Sequence, residues 1–197
     1  MNLPLPTPPM LLAFVLVGEL WLMRSRLSGD ASRKADRGSL RLLMAVIGTS
    51  VGLAWLAKRA VPQANFDLLF EMGPTALACL YAAGVCLFAV GLVLRWYSMV
   101  YLGRLFTFDV AVAADHRVVD SGPYRLVRHP AYAGSLLTFL GLGICGGNGV
   151  SLLVLVTPIA LAFLRRIAIE EAALTTALGS RYADYARRTK RLVPFVY

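Results

Sequence analysis

Two polar stretches concentrate the chemistry of this chain: "HRVVDSGPYRLVRHPAYAG", residues 116–134, and "RRIAIEEAALTTALGSRYADYARRTKRLVP", residues 165–194. In the first, Gly122 and Pro123 make a turn. Pro130 suits the first turn of a helix, where its missing N–H would be unpaired anyway, so His129 occupies the helix mouth. Free N–H groups and the positive end of the dipole favour an anion there, and Arg128 adds a permanent charge. Such an entrance can hold a carboxylate; the bland alternative is a helix cap with tyrosines at headgroup level. In the second stretch, Arg166 and Glu170 are four apart on one helical face, and Ile167, Leu174 and Leu178 form an apolar docking stripe. Arg before Glu is the weaker order for an intrahelical ion pair, and adjacent Glu170 and Glu171 repel unless something cationic or hydroxylic sits beside them. The acidic pair therefore reads as part of a site.

Other patterns carry less. Cys79, Cys86 and Cys145 lie in apolar runs, without metal-ligand spacing or the context of a disulfide framework, and read as packing residues. No metal site is expected. "GLGICG", residues 141–146, has the spacing of a dinucleotide fingerprint but ends an apolar segment, with no strand before it and no acid some way after it. Gly146, Gly147 and Asn148 read instead as helix terminators in a tight turn. "GTSVG", residues 48–52, is a small-xxx-small pattern suited to helix packing.

The elements that must position the polar stretches are membrane helices. Of 197 residues, 58% are hydrophobic, and the mean hydropathy is +0.65, which points to a polytopic membrane protein rather than a soluble domain. Charge-poor apolar runs fall near residues 5–23, 42–57, 74–94, 131–145 and 149–164, so the expected fold is all-α with about five transmembrane helices. The last two are short and joined by "GGNG", which predicts a helical hairpin followed by a cytoplasmic C-terminal helix. The first run has no early basic residue and no small-residue cleavage site, so it reads as a retained anchor. Residues 24–41 carry six basic and two acidic side chains and residues 165–197 seven and three, whereas residues 58–73 carry two of each. The positive-inside rule then puts the N-terminus outside and the C-terminus in the cytoplasm. The cations sit at helix ends beside anionic headgroups, which accounts for them without nucleic acid. Arg95, followed by Trp96 and Tyr97, reads as a snorkelling cation with an aromatic belt. Glu19, an acid in an apolar segment, is a functional candidate with water or Arg24 as its expected partner.

The combination of "GPYRLVRHPAYAG", an apolar hairpin and "EEAALTTALGSRYADYARRTKRLVP" resembles the isoprenylcysteine carboxyl methyltransferase family and its bacterial and archaeal relatives, whose wider superfamily includes phospholipid N-methyltransferases. The resemblance covers residues 95–197, expected as the catalytic region, after three N-terminal spans in residues 1–94. It implies a cytoplasmic pocket for S-adenosylmethionine. His116, Val118, Val119, Tyr124 and the segment His129, Pro130, Ala131 and Tyr132 match the family's cofactor-contacting segments, with Arg128 at the same mouth. Glu170 and Glu171 match the family's acidic pair, and Arg166 matches an arginine placed at the substrate. Arg166 and Glu170 are thus the expected catalytic residues. The implied acceptor is lipophilic, entering from the bilayer, and the implied location is a bacterial inner membrane. A carboxylate acceptor needs no protein base and no nucleophile; an amine acceptor would use Glu170 or Glu171 to take its proton. Rival classes are a phospholipid, small-amine or thiol methyltransferase, an NADPH-dependent sterol-type reductase and a noncatalytic membrane scaffold.

Overall fold

The computed structural model describes residues 6–26, 38–106 and 117–194. Five principal helices follow in order, α1 (Pro8–Arg26), α2 (Ser39–Ala60), α3 (Pro74–Leu102), α4 (Pro130–Cys145) and α5 (Gly149–Leu178), then a short amphipathic α6 (Ser180–Arg188). The described residues hold no strand, only isolated bridges. The all-α reading is correct. Among the described helices, α2, α3 and α5 are long and apolar enough to cross a membrane, while α4 and the apolar part of α1, Pro8–Glu19, are shorter.

Local signals start and stop these helices as their chemistry requires. Pro74 opens α3, and Gly103 closes it at φ 58°. Pro130 opens α4 behind His129. At the turn between α4 and α5, Gly147 takes φ 72°, a conformation glycine adopts without steric cost. Asn148 then caps α5 by accepting from the Ser151 N–H at 2.9 Å. Its fully buried amide also donates to Val61 O and Asn65 Oδ1, each at 2.9 Å. One side chain thus ties the α4–α5 turn to the far end of α2.

The final helix differs from the sequence expectation. The apolar run 149–164 is only the first half of α5, which continues unbroken for 30 residues. At 1.5 Å per residue, Glu170 stands about 32 Å beyond the helix start, just past the thickness of a hydrocarbon core. The acidic pair therefore rides on a rigid extension of a span.

Helix packing also departs from the sequence reading. A Cβ at Gly48 or Gly52 would meet nothing within 4 Å, so the glycines of "GTSVG" bring no helix close, and it is Ser50 and Val51 between them that pack inward. The close crossing is made by Gly84 and Gly91 of α3 with Gly134 and Gly141 of α4. A Cβ at Gly91 would lie 2.6 Å from Gly134 O, one at Gly134 2.5 Å from Gly91 O, and one at Gly141 2.5 Å from Gly84 O. In both helices the glycines are seven apart, two turns, so one face of each lets the backbones touch. Gly141, part of the fingerprint-like "GLGICG", serves this crossing. Against that pair, α2 and α5 pack through a core that includes Phe88, Leu92, Phe139, Leu155, Ile159 and Phe163.

Candidate active site

The chain returns to the mouth of α4 after α6. Arg128 N–H donates to Lys190 O at 2.7 Å and His129 N–H to Arg191 O at 3.0 Å. The turn before the mouth, Gly122–Arg125, is fastened from both sides. Tyr124 donates to Ser98 O on α3 at 3.2 Å, and Tyr185 of α6 donates to Tyr124 O at 2.7 Å. Burial pushes the Tyr124 hydroxyl well above its ordinary pKa and that of Tyr185 up to about 12, so both remain neutral hydrogen-bond donors.

The anion expected at the helix mouth is supplied by the chain itself. Glu171 Oε1 accepts from Arg128 Nε at 2.8 Å and lies 3.3 Å from His129 Nε2. Its Oε2 accepts from Arg191 Nε at 3.0 Å and lies 2.9 Å from Arg191 Nη2. Arg128 also donates to the carbonyls of Ala186 and Thr189. Three cationic or hydrogen-bonding partners thus satisfy the second acid, which explains how adjacent carboxylates coexist. Arg191 escaped the sequence reading because nothing in its spacing points to an acid twenty positions earlier.

Glu170 is the more open of the pair, with 31% of its side chain exposed against 13% for Glu171. Its Oε2 accepts from the Tyr132 hydroxyl at 2.8 Å. That same hydroxyl accepts from Arg166 Nε at 3.1 Å, and Arg166 Nη1 donates to Ser39 Oγ at 2.8 Å. Arg166 and Glu170, four apart in sequence, are therefore joined through a tyrosine of another helix. The Tyr132 ring stacks on His129, centroids 5.6 Å apart, and packs against Phe163 at 5.2 Å. Pro130 and Ala131 are buried beneath them. Val118 and Val119 are half-buried in the irregular segment leading into the turn, outside this hydrogen-bonded cluster. His116 lies outside the described residues.

Tyr182 of α6, singled out by nothing in its spacing, is 5% exposed, and its hydroxyl has no hydrogen-bond partner among the described residues. Burial first, then the charges of Glu171 and Glu170, raise its pKa, so it is a neutral donor facing the acidic pair. An accessible carboxylate with a stacked aromatic pair suits a polar, partly cationic ligand, and the Tyr182 hydroxyl is a further buried donor on the neighbouring helix.

A largely apolar cleft, partly open to its surroundings, runs between α1, α2, α3, α4 and α5. Its polar end is formed by Glu19, Arg95, Ser135, Tyr132 and Arg166. Leu12, Ile47, Leu92, Phe139 and Phe163 line the rest. Leu12 to Glu19, Leu40 to Ile47 and Tyr132 to Phe139 each span seven residues, so the cavity reaches about 10 Å along the helices. Arg95 is not a free snorkelling cation, nor does Glu19 turn to water alone: the two pair across helices at 2.5 Å. Tyr132 and Arg166 belong both to this cavity and to the network around Glu170.

A family model described as phospholipid methyltransferase matches residues 79–181, just over half of the chain, a range that includes Arg128, His129, Tyr132, Arg166, Glu170 and Glu171. The chain is 31% identical over 115 residues to the protein-S-isoprenylcysteine O-methyltransferase B of Arabidopsis thaliana, covering 57% of this chain and 58% of that one. It is 35% identical over 109 residues to the protein-S-isoprenylcysteine O-methyltransferase of Schizosaccharomyces pombe, covering 54% and 46%. The chain thus spans about half the length of these relatives. A solved structure of the eukaryotic intramembrane Ras methyltransferase, isoprenylcysteine carboxyl methyltransferase, superposes with a TM-score of 0.62 at 25% identity, covering 78% of this chain and 52% of that one. The helices that match carry the arginine, tyrosine and acidic pair described above, and the chain belongs to the phospholipid methyltransferase family of membrane proteins, similar over this region to the isoprenylcysteine carboxyl methyltransferases.

Proposed function

We propose that this membrane protein transfers a methyl group from S-adenosylmethionine to the carboxylate of a lipophilic, isoprenylcysteine-like acceptor. The observation that carries the reading is the junction at Tyr132 and Arg166, where an amphipathic cavity meets the network of Glu170. S-adenosylmethionine supplies an electrophilic methyl on a sulfonium. Glu170 would hold its ammonium group, the His129–Tyr132 stack would face its cationic and aromatic parts, and Tyr182 would donate its unpartnered hydroxyl. Arg128, Glu171 and Arg191 would hold the walls of that pocket in place, with Val118, Val119 and Tyr124 leading into it.

On the acceptor side, Arg166 would orient the carboxylate, and the apolar lining would bury the tail. A tail arriving from the bilayer leaves surroundings as apolar as this lining, so the lining admits the tail at little cost and the head group sets its position. A carboxylate already carries the electron pair that forms the new bond, so no side chain need take a proton. What the residues supply is position, and orienting two reactants accounts for about 7 to 11 kcal/mol of barrier reduction. The catalytic region is residues 95–197, in the inner membrane, with the cluster facing the cytoplasm.

The test is transfer of labelled methyl from S-adenosylmethionine, in lipid nanodiscs, to an S-prenylated cysteine, its carboxamide and phosphatidylethanolamine. Base-labile label in the free acid alone is expected. Label in phosphatidylethanolamine and none in the acid would overturn the carboxylate reading in favour of an amine acceptor, with Glu170 as its base.

A further inference from the structure

The wall of the acceptor cavity contains an ion pair that the cluster around Glu170 does not use. Arg95 on α3 donates through Nε and Nη2 to the two carboxylate oxygens of Glu19 on α1, each at 2.5 Å, and through Nη1 to Ser135 Oγ on α4 at 2.8 Å. The pair is largely buried, with 12% of the Arg95 side chain and 20% of the Glu19 side chain exposed. Holding α1 in place does not require it. The Trp96 ring of α3 lies against Gly18, where a Cβ would come within 2.8 Å of it, and packs on Phe14 with centroids 5.8 Å apart. A buried ion pair is also no stronger a fastener than apolar side chains of the same volume, because both charges must be desolvated.

What the pair does change is the charge of the cavity. Among the described lining residues the charged side chains are Glu19, Arg95 and Arg166, and within the Glu19–Arg95 pair the two charges cancel. We infer that Glu19 is a specificity-determining residue of this cavity: by neutralising Arg95 it withholds that cation from the head group and so favours a singly charged carboxylate head over a doubly charged phosphomonoester. The inference rests on the proposed reading of the cavity as the acceptor's seat. In a space of low dielectric, one added or removed charge acts on a bound head group with little screening.

The two partners of the pair give opposite expectations, which a merely structural role does not. Glu19→Gln makes the lining more positive by one charge, Arg95→Gln makes it more negative by one, and the double variant restores the wild-type charge. Binding of decanoate, decanol and decyl phosphate would be measured on the protein in nanodiscs, with folding checked by tryptophan fluorescence melts. Relative to decanol, Glu19→Gln should bind decyl phosphate roughly tenfold or more tightly than wild type, and Arg95→Gln should bind decanoate roughly tenfold or more weakly. The double variant should regain the wild-type ratios. If the pair is only a fastener, both single variants weaken all three probes alike and the ratios stay put, which overturns the inference and leaves the acceptor seat standing. Either single variant decides on its own should the other fail to fold. No binding of any probe to the wild type overturns the acceptor seat itself, and the inference with it.

Discussion

Replacing Tyr132 by Phe removes one oxygen atom at the point where the two halves of the proposed site meet. That hydroxyl donates to Glu170 Oε2 at 2.8 Å and accepts from Arg166 Nε at 3.1 Å. Each is a hydrogen bond to a charged partner, of the kind whose loss costs about 1.5 to 3 kcal/mol. The two losses do not simply add. Arg166 keeps its bond to Ser39 Oγ at 2.8 Å, and Glu170, with 31% of its side chain exposed, can be rehydrated. One bond's worth of misplacement is therefore the reasonable expectation, a fall in kcat/KM of about 10-fold to 150-fold. The phenyl ring retains the contacts with His129 at 5.6 Å and Phe163 at 5.2 Å, so the fold should survive. Methyl transfer to an S-prenylated cysteine in nanodiscs gives the rate, calorimetry gives the affinity for S-adenosylmethionine, and a thermal melt reports folding. A kcat/KM within about threefold of wild type in a folded Tyr132→Phe protein would refute the junction as the carrier of function.

Glu170→Gln keeps shape but removes the charge proposed to face the methyl donor; calorimetry should register S-adenosylmethionine binding weakened by about 10-fold to 150-fold, whereas an exposed helix-surface role would cost only about 0.3 to 0.5 kcal/mol of stability. Gly141→Val puts a Cβ 2.5 Å from Gly84 O and Phe88 N, forcing α3 and α4 apart; overpacking of this kind costs about 1 to 3 kcal/mol and should appear as a lower melting temperature in detergent. Reporter fusions should find the N-terminus outside and the C-terminus in the cytoplasm; a cytoplasmic N-terminus would break the positive-inside assignment.

The spans and the turn between α4 and α5 were legible because their causes are local, whereas the far end of α5 was not. Pro130, Gly147 and Asn148 act on the backbone within a turn of themselves, and a bilayer-length apolar run declares a span without reference to any partner. The polar stretches were legible for the same reason: His129 at a helix mouth and Arg166 with Glu170 and Glu171 on one helix are short-range facts. Which face of each span packs was not legible, since a helix apolar all round has no stripe to mark its neighbour. Only the crossing of α3 and α4 chose Gly84, Gly91, Gly134 and Gly141 as the contact and left Gly48 and Gly52 outside it. Long-range pairings depended on the same geometry. Glu171 found Arg191 because the chain doubles back after α6, and Arg95 found Glu19, 76 positions away, because α1 lies on α3. The amino-acid order determined what each element would be and which side chains could do chemistry; the packing of elements far apart in sequence decided that Tyr132 would stand between Arg166 and Glu170 at the polar end of a cavity.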